Sequence, residues 1–488
     1  MSRLRRVPAA AWWCAAIAFV NVAVWGIVTP PLHVPDETSH LSYVQHFAEN
    51  GEPPNDASSP VFADEQARVH AALLFDLTAG RPFNGTIWSE AQAAGVEAAE
   101  SADLERGNGG GIQSNSAQPP LYFMVQSVVY RAFSWTDLLD RLMLMRLVGA
   151  LLAALTTLFT FAFLRELFRE PWTWTVGALA VAFQPTLGFI SGAVQPDAML
   201  FAASAGLFWM LARTFRRGLT VERGVAIGLL MAAGSLTKLT FLALVPGALL
   251  GLALLAWRLR PRIQALPAAG VAVGVLGVAL AAYVAANLLF WDRSAFGGGL
   301  AVASTSATGG SDGVEPIGLS ERIGYIWQLY LPRLPFMNDQ FAYFPPYTTW
   351  FKGFIGLFGW VDTPFPAWAY RLALGIALPL AALAGWALVQ RRGELVRRWP
   401  ELLTYATMTL GLLVSIGLSG SRYLKDTGST FEQARYLLPL LPFYAALLSL
   451  AALGAGRRFG RPVGAAIVVL AIGHGLFAQL LVIGRFYA

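Results

Sequence analysis

Long apolar runs, interrupted by short polar ones, dominate the chain. Eleven of them read as membrane spans: 9–29, 143–165, 172–190, 196–213, 224–237, 240–257, 264–290, 367–389, 401–419, 436–455 and 463–484. A spanning helix needs about 20 mostly apolar residues. The first run follows the basic start MSRLRR and has no small-residue cleavage site ahead of Thr29-Pro30-Pro31. It reads as an uncleaved first span rather than a signal peptide. Residues 119–134 (PPLYFMVQSVVYRAFS) are also apolar enough to span, but their aromatic residues suit a helix lying on the outer membrane surface or partly re-entrant. The same placement is expected for Tyr325–Phe336 and Phe351–Trp360. Two long loops are left, 30–142 and 291–366, and loops of this length are usually functional or disordered. The Gly/Asn/Ser-rich stretch Gly107–Ser116 is expected to be mobile, and the second loop opens on a low-complexity run, Gly297–Gly313. No internal repeat is visible, so the paired-repeat plan of many transporters finds no support. The pattern predicts an all-α polytopic membrane protein, one domain over 1–488, with surface helices carried on its two long loops.

Composition agrees with lipid. The 488 residues are 56% hydrophobic and only 13% charged, with mean hydropathy +0.53, whereas soluble chains are about a quarter charged. A single cysteine, Cys14, excludes an internal disulfide and a cysteine metal cage, and reads as a packing residue. The net charge of +6 would fit a nucleic-acid partner only if the cations formed one patch. Instead they alternate with the spans. With the N-terminus inside, one side holds Arg3, Arg5 and Arg6; Arg165 and Arg169; Arg213, Arg216, Arg217 and Arg223. It also holds Arg258, Arg260 and Arg262; Arg391, Arg392, Arg397 and Arg398; and Arg457, Arg458 and Arg461. Of the acids, only Glu166, Glu170, Glu222, Glu394 and Glu401 share that side. Under the positive-inside rule this predicts a cytoplasmic-membrane protein with its C-terminus and both long loops outside. Counting 119–134 as a span would move every later arginine cluster to the wrong side.

Candidate chemistry gathers on the outer side. Asp36-Glu37 follows the first span directly, in His33-Val34-Pro35-Asp36-Glu37-Thr38-Ser39-His40. A carboxylate there can take the proton of an attacking hydroxyl; equally, Asp36 or Thr38 can cap a helix over His40–Glu49. His33, His40 and His46 beside these acids could hold a divalent metal such as zinc or manganese, or could be ordinary surface histidines. Arg141 and Arg146, Gln195-Pro196-Asp197, Thr237-Lys238 and Arg435 all lie at outer span ends. Ionisable groups there are costly and are candidates by default. Cations at headgroup depth suit a phosphate, and they also suit plain snorkelling to the headgroups. Walker loops, dinucleotide fingerprints and zinc-protease helices are absent. That disfavours nucleotide-driven chemistry and leaves room for a lipid-carried activated donor.

In the order of these blocks the sequence resembles the GT-C superfamily of membrane glycosyltransferases, which includes protein O-mannosyltransferases and lipid A aminoarabinose transferases. The blocks are Asp36-Glu37 after span one, Gln118-Pro119-Pro120-Leu121-Tyr122 (with Gln where the superfamily has His), Arg146-Leu147-Val148-Gly149-Ala150-Leu151, Asp197, and Leu236-Thr237-Lys238. Two further blocks, Phe354-Ile355-Gly356-Leu357-Phe358-Gly359-Trp360-Val361-Asp362-Thr363-Pro364 and Gln433-Ala434-Arg435-Tyr436-Leu437-Leu438-Pro439, resemble the bacterial domain-of-unknown-function family 2142. The resemblance implies a transferase that uses a polyprenyl-phosphate sugar on the outer face, with a cell-envelope glycan, lipid or protein as acceptor. It implies Asp36 as catalytic base, Glu37 orienting the acceptor or the base, Arg146 on the donor phosphate, and Lys238 and Arg435 as further cations. His40, Gln195, Asp197 and Gln118 would line the substrate site. Two alternatives remain. A transporter or flippase of a lipid-linked glycan would carry ionisable residues deep in its spans; the third reading is a non-catalytic scaffold in envelope assembly.

Overall fold

The computed structural model describes residues 7–73, 89–113, 115–258, 262–296, 318–341 and 344–487. Arg3, Arg5, Arg6 and Arg260 and the run Gly297–Gly313 lie outside them. Helices dominate, and among the described residues a two-stranded hairpin is the one sheet. Among the described residues nine helices are long and apolar enough to cross a membrane, and there are ten if Pro171–Ala182, which continues into Pro185–Ser191 with a bend of 55°, is counted with it as one span. The eleventh expected span is the helix Val221–Thr237. Its 17 residues reach only about 25 Å, somewhat short of a bilayer core.

Proline sets many of the boundaries. It stands in the first turn of Pro171–Ala182, Pro185–Ser191, Pro196–Arg217, Trp399–Thr427 and Leu441–Gly454, where its missing N–H costs nothing. Thr29-Pro30-Pro31 stops the first span, Ala9–Val28. That span lies along Leu138–Leu167, which packs on its other side against Pro196–Arg217. Val221–Thr237 pairs with Arg262–Leu289, and Ala367–Gln390 with Leu441–Gly454. Tightly packed aromatics, Phe163, Phe208, Tyr405 and Phe443, join four of these helices, with Phe208 and Phe443 centroids 4.7 Å apart. In lipid such fits, rather than expulsion of water, hold helices together. A polar tie joins three helices: Gln479 donates to Asn21 at 3.0 Å, and Asn21 donates to the Ala182 carbonyl at 2.9 Å.

The first long loop builds its own small core from Leu41, Tyr43, Val44, Val69, Tyr122, Phe123 and Tyr130. Leu121–Ala132 is a helix of 12 residues, about 18 Å long, which is too short to span. It lies against Glu37–Asn50 with Tyr122, Phe123, Gln126 and Tyr130 buried. The stretch expected to be mobile is instead pinned where it is described. Gln113 donates to the Ser39 carbonyl at 3.0 Å and His46 bonds the Gly109 carbonyl at 3.1 Å. Of the expected helix Phe351–Trp360 only the first part is helical, in the consecutive turns Tyr347–Lys352 and Gly353–Gly356. The backbone turns at Gly356 (φ 154°) and Gly359 (φ 60°), conformations open to glycine. It forms a hairpin in which Leu357–Phe358 pairs antiparallel with Thr363–Pro364. The expected helix Tyr325–Phe336 forms only as far as Tyr330, as the end of a helix that starts earlier, Leu319–Tyr330, packed on Trp399–Thr427.

Candidate active site

The chain leaves the first span through a strained turn. Leu32 (φ 68°) and Asp36 (φ 67°) both occupy the left-handed region, which costs a non-glycine residue about 1–3 kcal/mol and persists only where the surroundings impose it. A buried clasp imposes it. Arg146 donates twice to Glu37, Nε to Oε1 at 2.8 Å and Nη2 to Oε2 at 2.6 Å. Its remaining N–H groups go to the carbonyls of Gly26 (2.7 Å), Thr29 (2.8 Å) and Pro30 (3.1 Å). Glu37 in turn accepts from the Leu32 N–H at 2.9 Å and the Val194 N–H at 3.0 Å. Arg146 has five N–H donors, and the protein uses all of them. The phosphate contact that the resemblance implies for Arg146 would have to displace one of these bonds. Gly149, one turn further along, lets the Ser191 backbone approach where any Cβ would collide with its carbonyl. That approach is what brings Val194 to Glu37.

Held this way, Asp36 begins the helix Glu37–Asn50 without capping it, and its side chain stays 35% exposed. Its Oδ2 accepts from Arg435 Nη2 at 2.5 Å. Arg435 also faces Asp197, with Nη1 to Oδ2 at 3.8 Å, and Asp197 Oδ1 accepts from Lys238 Nζ at 2.6 Å. Tyr436 lies beside both cations, 5.3 Å from Arg435 and 5.6 Å from Lys238. Thus Asp36, Arg435, Asp197 and Lys238, drawn from four separate parts of the sequence, form one alternating row of charge. Arg435 is buried, yet its Nε and Nη1 have no hydrogen-bond partner among the described residues. Burial pushes the Asp36 carboxyl up, but the adjacent guanidinium, aided by Lys238, outweighs it and holds the group below its ordinary 3.8. His40 borders the same row. Its Nδ1 lies 3.1 Å from the Val194 carbonyl, which can only accept, so the proton sits on Nδ1. Burial depresses His40 to about 4 and keeps it neutral.

The remaining candidates stand slightly apart. Gln195 donates to the Pro35 carbonyl and so supports the turn beneath Asp36. Gln118 bonds the Asn115 carbonyl through its own N–H, and its carbonyl accepts from Tyr43 at 3.4 Å; it is linked to His40 only through the rings of Tyr43 and Phe123. Arg141 belongs to the loop core, paired with Glu65 and stacked 4.5 Å over Tyr130. The three histidines do not converge. His33 bonds the Pro31 carbonyl, His40 that of Val194 and His46 that of Gly109. Among the described residues no three His, Cys, Asp or Glu groups come together in a metal-holding arrangement.

Between Pro35 and Arg435, next to Asp36, opens a small cleft of about 30 Å³. Pro35, Phe189, Ile190, Leu357 and Val361 make its walls apolar, and Glu432, Gln433 and Arg435 line its polar end. The bent half-helix Pro185–Ser191 holds the far wall, for Gln184 donates to the Phe354 carbonyl at 2.8 Å and Thr186 to that of Gly353 at 3.0 Å. Glu432 was not among the sequence candidates. Its only sequence signal is its place three residues before Arg435, just outside the span Ala434–Gly454.

The profile of the family described as Predicted membrane protein (DUF2142) matches residues 19–444. No curated protein matches the sequence. Among solved structures, the chain is similar to ArnT from Cupriavidus metallidurans, at 14% identity and TM-score 0.49, covering 98% of this chain and 77% of that one. ArnT bound to undecaprenyl phosphate gives 14% identity and TM-score 0.48, over 98% and 74%. The Archaeoglobus fulgidus oligosaccharyltransferase in its apo form gives 12% and TM-score 0.43, over 97% and 56%.

Proposed function

The chain belongs to the DUF2142 family of predicted membrane proteins, and on that premise we propose that it is a glycosyltransferase moving a sugar from a polyprenyl-phosphate donor to a cell-envelope acceptor on the outer face of the cytoplasmic membrane. One observation carries the reading. A part-exposed carboxylate, Asp36, lies hydrogen-bonded to Arg435, a buried arginine whose Nε and Nη1 have no hydrogen-bond partner among the described residues and which lines the polar end of a mostly apolar cleft. Unpartnered guanidinium N–H groups beside apolar walls suit the phosphate end of a polyprenyl carrier. The one-sided arginines and the ordered sequence blocks support the same reading.

In this reaction the acceptor hydroxyl oxygen attacks the anomeric carbon as the bond from that carbon to the phosphate oxygen breaks. The hydroxyl proton passes to Asp36, and the electron pair leaves with the polyprenyl phosphate. Direct displacement inverts the anomeric carbon. Arg435, with Lys238 behind it, meets the charge growing on the leaving phosphate, and a fixed cation in a poorly hydrated site is most effective there. Glu37 and Arg146 act as positioning residues, holding the turn that aims Asp36.

Asp36→Asn keeps the shape and removes the base. In membranes given radiolabelled polyprenyl-phosphate sugars, transfer is expected to fall by about 10²-fold or more. Normal transfer by that variant rules out Asp36 as the base. Transfer that needs a nucleotide sugar and no lipid carrier rules out the donor class.

A further inference from the structure

Glu432 presents a buried carboxylate to the same cleft. It is 5% exposed. Its Oε1 accepts from the Tyr325 hydroxyl, and its Oε2 has no hydrogen-bond partner among the described residues. The surroundings are shaped around it, since a Cβ on Gly420 would collide with Oε1. Leaving a buried carboxylate oxygen without a donor costs more than an ordinary hydrogen bond gains, and native proteins rarely do so without a reason. The ligand that relieves it must bring hydrogen-bond donors.

The same end of the cleft holds the opposite deficiency, the unused N–H groups of Arg435. One ligand satisfies both if it carries hydroxyl groups close to an anionic group, which is the chemistry of a sugar phosphate. We infer that Glu432 recognises the sugar of the donor, its Oε2 accepting from a ring hydroxyl while Arg435 holds the phosphate and Tyr325 fixes the carboxylate. This rests on the transferase reading above and assigns it a specificity-determining residue.

The test compares, in nanodiscs, bare undecaprenyl phosphate with undecaprenyl phosphates carrying mannose, glucose, galactose or arabinose. Wild-type protein is expected to bind one of the sugar lipids more tightly than the bare phosphate. Glu432→Ala is expected to weaken binding of that sugar lipid about tenfold or more and to leave the bare phosphate unchanged, which also shows that the variant is folded. Tyr325→Phe keeps the carboxylate and is expected to retain most of the preference. Equal loss for both lipids in Glu432→Ala would make Glu432 a mere tie between elements and overturn the inference. An undiminished sugar preference in that variant overturns it as well, while the transferase reading stands. If wild-type protein prefers none of the sugar lipids, the transferase reading falls and takes this inference with it.

Discussion

Arg146 and Arg435 bring the same guanidinium to neighbouring sites and end in opposite conditions. Arg146 has a protein acceptor for every N–H, whereas two nitrogens of Arg435, Nε and Nη1, have no hydrogen-bond partner among the described residues. Removing Arg146 strands the fully buried Glu37, and breaking such a pair costs about 3–5 kcal/mol. Arg146→Ala is therefore expected to lower the thermal midpoint of the purified protein sharply, while Asp36→Asn leaves it nearly unchanged. Histidine 40 adds a pH dependence. Held to about 4 when folded, against an ordinary 6.5, it binds a proton in the unfolded chain before it does in the folded one. Its contribution is complete above pH 6.5 and is lost as pH falls toward about 4, at up to about 1.4 kcal/mol per pH unit. The midpoint should fall between pH 7 and pH 5, and should fall less in His40→Gln. The row Asp36, Asp197, Lys238 and Arg435 was legible in the sequence because ionisable residues at span ends are few. The saturation of Arg146 was not, because its partners are backbone carbonyls, which leave no trace in side-chain identity.

Among the elements, the spans were legible and the outer segments less so. Apolar length identifies a helix that must satisfy its own backbone in lipid, so all eleven expected runs have helical counterparts. No such rule governs segments beside the membrane. Leu121–Ala132 stayed a helix because nothing in it breaks one, whereas glycines with positive φ ended the helix at Gly356 and turned the rest of that segment into a hairpin. The pinning of residues 107–113 was invisible because it depends on Ser39 and His46, far away in the chain. Close helix approach depends on glycine in the same hidden way. Gly149→Ala places a methyl group against the Ser191 carbonyl, and such overpacking costs about 1–3 kcal/mol. Since the displaced backbone carries Val194, this variant should lose transfer activity as well as thermal stability.

For the whole molecule, the one-sided arginines make a topological prediction. Alkaline phosphatase fused after Ala488 should be active, and a cytoplasmic reporter at the same point silent; the reverse result would mean that residues 119–134 cross the membrane after all. The long helix Leu138–Leu167 has a further consequence. Its 30 residues measure about 45 Å, against a hydrocarbon core of about 30 Å. Arg146 stands about 30 Å from the helix's far end. On the transferase reading, with that far end at the inner edge of the core, Arg146 would lie at the depth of the outer lipid phosphates, and a donor phosphate would reach Asp36 and Arg435 by sliding sideways, without rising into water. Encounter then takes place in two dimensions, and the quantity that sets the rate is the mole fraction of donor in the membrane. Adding phospholipid to proteoliposomes at fixed donor should slow transfer, whereas diluting the same vesicles with buffer should not.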